Sequence, residues 1–217
     1  MKHPVLAALF LAVGTALHSQ PDKTIRIDFT NPGLIPAAWT LELHPDGTGH
    51  FRSQRGDAPR SATTTIEAPD QDRDIQVSPA FAANVFSVAA AENFFQKPCE
   101  SHEKVAFQGT KHLVYTGPDG KGECSFNYSR DRQIQQLGDQ LTSLASTILE
   151  GARLDRLHQH DRLGLDQEME TLQEMLGDGR ATEISVIRTT LESLATDDSL
   201  MERVRRRARE LLAKAGN

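Results

Sequence analysis

The spacing of apolar residues changes once along this 217-residue chain, and that change constrains the fold more than any other feature. Residues 24–30, 39–51 and 111–128 alternate apolar and polar side chains, which is the period of a half-buried β-strand. From residue 129 onward, apolar residues recur every three or four positions, as on one face of an α-helix. The order predicts an α+β fold. We expect a small antiparallel sheet with two helices, in the order ββ…α-ββ-α, followed by an all-α helical segment.

The predicted boundary between these two parts is Gly151, because glycine weakens an otherwise continuous helical pattern. Residues 20–150 are predicted to form the α+β domain. Residues 151–217 are predicted to form a helical domain of about three helices, and their short connections imply antiparallel neighbours.

Residues 39–51 have the pattern of a β-hairpin around a Pro-Asp-Gly turn. The register that puts Leu41 opposite Phe51 also puts Glu42 opposite His50. Apolar pairs then share one face of the hairpin and polar pairs share the other, which supports this register.

The segment after the hairpin carries weaker strand signals and one strong helix signal. Strand propensity marks residues 63–67 and 75–77, with a polar turn at 69–73 between them. Ser78 followed by Pro79 predicts a helix start, since serine caps a helix and proline suits its first position.

A second group of strands is predicted at residues 105–107, 111–115 and 124–128, and Ser129 is expected to cap the helix that follows. In this arrangement the inner face of the sheet carries Leu113, Tyr115, Cys124, Phe126 and Tyr128. Cys124 is thereby buried within reach of Cys99 in the preceding connection.

Residues 1–19 follow the plan of a secretory signal peptide: a charged start, an apolar run and a small-residue end. The apolar run is far shorter than the roughly 20 residues that a membrane-spanning helix needs. The segment therefore predicts export to the periplasm or the extracellular space, with cleavage after residue 16 or residue 19.

Cys99 and Cys124 are the two cysteines of the chain. Export places them where a disulfide persists, so we predict that they form one bridge. Two free buried thiols are the alternative. Their spacing is not that of a Cys-x-x-Cys redox motif, which argues against redox catalysis.

The net charge of −6 disfavours nucleic acid and anionic membranes as partners, because both repel an acidic chain at long range. No segment after the first nineteen residues has the pattern of a transmembrane helix. The predicted partner is an unknown protein or a cell-envelope component.

Motifs of chemical interest are present only as fragments, so no catalytic, cofactor or metal site is predicted. Asp70-x-Asp72-x-Asp74 begins like a calcium loop, but the later ligand positions do not match. His158 and His160 are two positions apart, which on a helix directs them to different faces. Ser101 and Lys104 match the Ser-x-x-Lys part of one serine-nucleophile signature, but its companion motifs are absent. Nucleotide-binding and zinc-protease signatures do not occur.

Two surfaces are candidates for partner binding. The hairpin surface consists of Glu42, His44, His50 and Arg52. The arginine surface consists of Arg203, Arg206 and Arg207. Ion pairs with the acid-rich neighbouring helices are the structural alternative for the arginines.

A non-enzymatic binding module is therefore the leading functional hypothesis. One alternative is an exported hydrolase that brings Glu103 or Asp161 to a histidine in space. Another is an inhibitor of a secreted enzyme that presents a rigid turn, at residues 45–49 or 118–122.

The stretch from Gly109-Thr110-Lys111 through Gly117-Pro118-Asp119-Gly120-Lys121 to Cys124-Ser125-Phe126-Asn127-Tyr128-Ser129 resembles exported bacterial proteins of unknown function. The likeness extends over roughly residues 24–150 and implies export, but it assigns no activity and no functional residue. Separately, the last helix resembles the second helix of a HEAT-type repeat, although a solenoid needs about three repeats.

Overall fold

The computed structural model describes residues 23–58 and 67–215. Within these ranges the strands are β1 (Thr24–Thr30), β2 (Ala38–Leu43), β3 (Thr48–Gln54), β4 (Asp72–Gln76), β5 (Thr110–Gly117) and β6 (Gly120–Phe126). The helices are α1 (Pro79–Ala91), α2 (Arg132–His160), α3 (Leu165–Asp178), α4 (Arg188–Thr196) and α5 (Glu202–Ala215). Short 3-10 helices lie at Asn93–Phe95 and Ile184–Ile187. The predicted α+β fold class with a helical final segment is confirmed.

All six strands form one antiparallel sheet in the order β4-β3-β2-β1-β5-β6. β1 lies inside the sheet because it pairs with β2 on one side and with β5 on the other. Leu41 is opposite Phe51 and Glu42 is opposite His50, so the predicted hairpin register is confirmed. The large buried side chains of the sheet are Ile25, Ile27, Phe29, Trp39, Leu41, Leu43, Phe51, Leu113, Tyr115 and Phe126.

α1 begins as predicted and covers the inner face of the sheet. The Ser78 hydroxyl accepts a hydrogen bond from the Phe81 amide, and Pro79 occupies the first helical position. Phe86 meets Tyr115 of β5 edge-on, with ring centroids 6.3 Å apart. This aromatic contact packs α1 against β5 on the inner face.

α2 starts slightly later than predicted, because a different residue caps it. The Asp131 carboxylate accepts hydrogen bonds from the backbone amides of Gln133 and Ile134, so Asp131 is the N-cap. Ser129 lies two residues earlier, and its hydroxyl accepts the Asp131 amide. The expectation that Ser129 caps the helix is wrong. The negatively charged carboxylate of Asp131 takes this position, because it lies next to the positive end of the helix dipole.

α2 does not end at Gly151, where the boundary was expected. The helix is continuous over 29 residues. A Cβ atom at Gly151 would lie 2.3 Å from Cγ2 of Ile187, so the glycine lets the second 3-10 helix approach α2 closely. The division into domains at residue 150 stays a prediction, and buried residues on both sides of it belong to one core cluster.

The three helices after α2 bury the apolar residues expected from their spacing. α3 is followed by Gly179, whose φ of 82° is the left-handed value that favours glycine at a helix end. α5 packs against both α4 and α3. The buried residues of these helices include Leu165, Met169, Leu172, Leu191, Leu194, Val204, Ala208 and Leu211.

Two expectations for the second group of strands are wrong. Residues 105–107 are not a strand, and the side chains of Val105 and Phe107 are exposed. β6 ends at Phe126, so Tyr128 lies beyond the sheet and is exposed rather than on its inner face. Strand propensity misled in both places because it does not show whether a neighbouring strand is available to pair.

β4 begins inside the predicted polar turn. Its first three residues, Asp72, Arg73 and Asp74, are all charged, which hides the strand from an analysis of hydrophobic alternation. Charged residues are common on edge strands, and β4 is the edge of this sheet. Residues 63–66 of the strand predicted at 63–67 lie outside the described residues, as does the predicted signal segment.

Candidate functional site

The hairpin surface lies on the side of the sheet that faces away from the helices. The strand registers extend this polar face across all six strands as two rows. One row is Asp72, Arg52, Thr40, Asp28, His112 and Ser125, and the other is Asp74, His50, Glu42, Arg26, Val114 and Glu123. Charges of opposite sign meet repeatedly between neighbouring strands, which stabilises the rows.

His50 is held between two aspartates of the edge strand. Its Nδ1 atom is 2.7 Å from Oδ1 of Asp74, and its Nε2 atom is 2.8 Å from Oδ1 of Asp72. The hydrogen bond with Asp74, assisted by Asp72, raises the pKa of His50 above its ordinary value. Both ring nitrogens donate only in the protonated imidazole, so this contact joins β3 to β4 most strongly at acidic pH.

A cleft of about 970 Å³ separates β4 from the helices beneath it. The lining also includes His44 and His50 of the hairpin surface, which belong to the outer face, so the cleft reaches both faces of the sheet. The remaining lining residues come from the start of β3, from residues 73–79 and from the helical layer; those of the helical layer are Ser185, Val186, Arg188, Thr189 and Ala215. The cleft thus joins parts of the chain that are far apart in sequence.

Two arginines in this cleft lack a close carboxylate partner among the described residues. Nη2 of Arg73 is 3.5 Å from the carbonyl oxygen of Val186. Nη2 of Arg188 donates to the carbonyl of Ala215 at 3.0 Å, and its Nη1 is 3.9 Å from Glu192. A guanidinium group has five N–H donors, so both side chains retain donors for an incoming anion.

The edge strand above the cleft is open. Within the described part of the chain, β4 pairs with β3 on one side and with no strand on the other. The backbone groups on its outer side are therefore accessible for pairing with another extended chain. Together, the open edge and the two arginines form a surface that can bind a polypeptide.

The opposite edge of the sheet is closed, and the cysteines take part in closing it. Cys99 and Cys124 form the predicted disulfide, with the sulfur atoms 2.00 Å apart. The bridge ties β6 to the segment that follows the first 3-10 helix. Next to it, the Gln96 side-chain amide donates to the Lys121 carbonyl at 2.7 Å. This segment therefore lies along β6 and covers it.

The arginine surface is engaged in contacts within the helical layer. Arg203 and Arg207 both pair with Asp166 of α3, the former at 2.8 Å. Arg206 is 3.7 Å from Glu210 on its own helix. These ion pairs hold α5 against α3, so the charge of this surface is largely balanced by neighbouring carboxylates.

The motif fragments serve local hydrogen bonds. Asp70 accepts the backbone amide of Arg55 at 2.7 Å, while the next two aspartates of its motif hold His50. His158 bonds to Asp197 at 2.7 Å, and His160 is exposed. Among the described residues, no group of three or more His, Cys, Asp or Glu side chains is placed to hold a metal ion.

Of the two acids considered for a hydrolase, Glu103 has a structural partner for its carboxylate. The Glu103 carboxylate accepts a hydrogen bond from Nε of Arg130 at 2.7 Å. Asp161 follows the last residue of α2, and its amide donates to the Leu157 carbonyl. In the hydrogen bonds of the described residues, neither carboxylate meets a histidine.

A buried titratable group, the carboxyl group of Glu150, lies between α2 and α3. Nη1 of Arg153 is 3.0 Å from Glu150 and 2.7 Å from Glu168. Glu150 is only 3% exposed. Its burial, together with a hydrogen bond to Glu168, raises the pKa of Glu150 to about 8. The two carboxyl groups therefore share one proton at neutral pH.

Three of these residues were not singled out from the sequence. Arg73 falls in the predicted polar turn, although its shared parity with Ile75 marks it as an inner-face position. Arg188 lies at a helix start and carries no local signal of a cleft. Glu150 is a buried charged residue, and burial of a charge is rarely visible in a sequence pattern.

No protein-family model matches this chain, and no curated protein matches it. Among the described residues, no helix is both long and apolar enough to cross a membrane. Interpretation of the cleft therefore rests on its own residues and geometry.

Proposed function

We propose that this chain is an exported, non-enzymatic binding protein that recognises another protein or a cell-envelope component through the cleft beneath β4. The observation that carries the proposal is the combination of an open sheet edge with a cleft containing Arg73 and Arg188. An open edge offers backbone hydrogen bonds, and the arginines offer charge selectivity.

Export is supported by two features of the chain. Residues 1–19 have the order of a secretory signal peptide. The Cys99–Cys124 disulfide suits an oxidising compartment, since the cytosol keeps most thiols reduced.

A binding role is favoured over catalysis because His50, the cleft histidine that contacts β4, is already engaged. His50 faces a carboxylate at each ring nitrogen. A histidine in this state has no free nitrogen lone pair with which to act as a general base. The cleft therefore supplies hydrogen bonds and positive charge rather than an activated nucleophile.

Export is tested by expressing the full chain in a bacterium and measuring the intact mass of the protein released from the periplasm. We expect the mass to lack the first 16 or 19 residues and two hydrogen atoms lost on disulfide formation. Recovery of the uncleaved, reduced chain in the cytoplasm contradicts export.

Binding is tested by placing a photo-crosslinking amino acid at Thr189, inside the cleft, and at Ser125, on the outer face near the opposite edge. We expect one partner band from Thr189 in envelope extract, and its loss when Arg73→Met and Arg188→Met are added. Identical bands from both positions, or a band that survives the arginine substitutions, contradict binding at the cleft.

A further inference from the structure

The outer edge of β4 presents a regular set of backbone groups. The amide of Ser53 donates to the carbonyl of Gln71, and hydrogen-bonded pairs recur at every second residue of an antiparallel ladder. The N–H and C=O groups of Asp72, Asp74 and Gln76 therefore point away from β3. An extended chain beside β4 finds donors and acceptors at the spacing of a β-ladder.

The side chains between these positions face the cleft. Arg73 is opposite Phe51 and Ile75 is opposite Gly49, on the inner side of the sheet. Side chains of a strand alternate between the two faces, so a chain added next to β4 directs every second side chain into the cleft. Those side chains meet one arginine and one isoleucine from β4.

Positive charge dominates where such side chains enter. Arg73 contacts only the Val186 carbonyl, at the long distance of 3.5 Å, among its described polar contacts. Among the described residues, the carboxylate that pairs with Arg188 is that of Glu192, 3.9 Å away. By contrast, Arg203 on α5 has a carboxylate at 2.8 Å. A carboxylate in the cleft gains charge-assisted hydrogen bonds that these two guanidinium groups do not already make.

Resting on the proposed function, we infer that the partner binds as an extended peptide that adds a seventh strand to the sheet at β4. An acidic side chain of this peptide lies in the cleft against Arg73 and Arg188. An apolar side chain two residues away lies beside Ile75. The side chain between them projects on the outer face, next to the exposed carboxylate of Asp74.

A second copy of this chain is a poorer occupant of the edge. If two β4 strands paired about Arg73, the two Arg73 side chains would lie opposite each other. Each Asp72 would then face an Asp74. Like charges directly opposite in a ladder are destabilising. The charges of β4 thus oppose pairing between two copies of this strand. They favour a peptide that has a negatively charged side chain opposite Arg73.

Selection from a phage library of random twelve-residue peptides tests this inference on the full, oxidised protein. We expect enriched peptides to alternate apolar or acidic residues with polar ones. Methylation of alternate backbone nitrogens in an enriched synthetic peptide should weaken binding at least tenfold, as measured by calorimetry. Arg73→Glu should shift the preference from acidic to basic peptides, with Arg188→Glu as a second variant in case the first does not fold. Arg52→Glu, on the outer face, should leave the acidic preference unchanged.

Four results would overturn the inference. If the enriched peptides contain no acidic residues, the two arginines do not bind an acidic side chain. If a peptide with methylated backbone nitrogens keeps its full affinity, it does not bind as an added strand. If no peptide is enriched while the Thr189 crosslink still captures its partner, the seventh strand is wrong and the proposed function stands. Loss of both signals contradicts the proposed function as well.

Discussion

The two edges of the sheet are finished in different ways. At β6, a neighbouring segment lies along the strand and the Cys99–Cys124 disulfide fixes it there. At β4, the described structure places no chain along the edge, and charged side chains stand above a cleft. One edge is thus protected by covalent closure and the other by charge. Among the described residues, this difference leaves β4 as the edge at which a strand can be added.

We expect the largest effect when the disulfide that closes the β6 edge is removed. Replacing both cysteines by serine should lower the free energy of unfolding by about 3 kcal/mol, because the denatured chain regains the entropy of a 25-residue loop. Urea denaturation measures this loss. Amide exchange should accelerate along β6 and remain unchanged along β4. An unchanged urea midpoint would show that the bridge does not brace the sheet.

Adding a side chain between β6 and the segment that covers it should also destabilise the protein. A Cβ atom at Gly122 would lie 2.3 Å from the Phe94 carbonyl oxygen, so Gly122→Ala forces the covering segment away from β6. We expect a loss of about 1–3 kcal/mol in urea denaturation. Gly177→Ala in α3 is the matched control, because a Cβ atom there meets nothing within 4 Å. Equal stability of the two variants would contradict close coverage of β6.

The stability of the whole protein is also expected to change with pH, and this change must be known before the two edges are compared at different pH values. We expect it to come from Glu150. Its pKa of about 8 is above its ordinary value, so the folded state keeps a proton that the unfolded state has released. Stability should therefore fall as the pH rises from about 5 to 8, by at most about 1.4 kcal/mol per pH unit. Glu150→Gln should flatten this slope in urea denaturation. A slope that persists in the variant assigns the effect to other groups.

The smallest expected effect is local to the open edge. The pKa of His50 is raised, so its contribution is fully present below the ordinary value of 6.5 and is lost as the pH rises through the folded-state value. Over this range, the free energy that protects the β4 amides from exchange should fall by about 0.5 kcal/mol, after correction for the intrinsic pH dependence of exchange. His50→Gln should remove the change. The amides of β6 serve as the internal reference, and a parallel change there would contradict a local origin.

The sequence predicted the parts of this fold that local patterns determine. The β2–β3 register follows from alternation around one turn, and the stripe of α2 follows from helical spacing. β4 was misplaced because three of its five residues are charged, as suits an edge strand. The expected break at Gly151 is instead a point of close packing against Ile187, which only the tertiary structure reveals.

The candidate site was predicted only in part. His44 and His50 were singled out because they share the polar face of the hairpin. The cleft that they line also needs Arg73 from a misassigned strand and Arg188 from a helix that begins more than a hundred residues later. No local pattern encodes that proximity, because packing of the helical layer beneath the sheet creates it.

The position of β1 has a consequence for the order of folding. Ile27 of β1 pairs with Leu113 of β5, 86 residues later in the chain. At ordinary rates of translation these residues are made roughly 4–17 s apart. During that interval β1 can pair with β2 but not with β5, so the nascent sheet has a temporary open edge in what later becomes its interior. The second side of β1 can be paired only after synthesis has passed residue 117, and the six-stranded sheet can be completed only after it has passed residue 126.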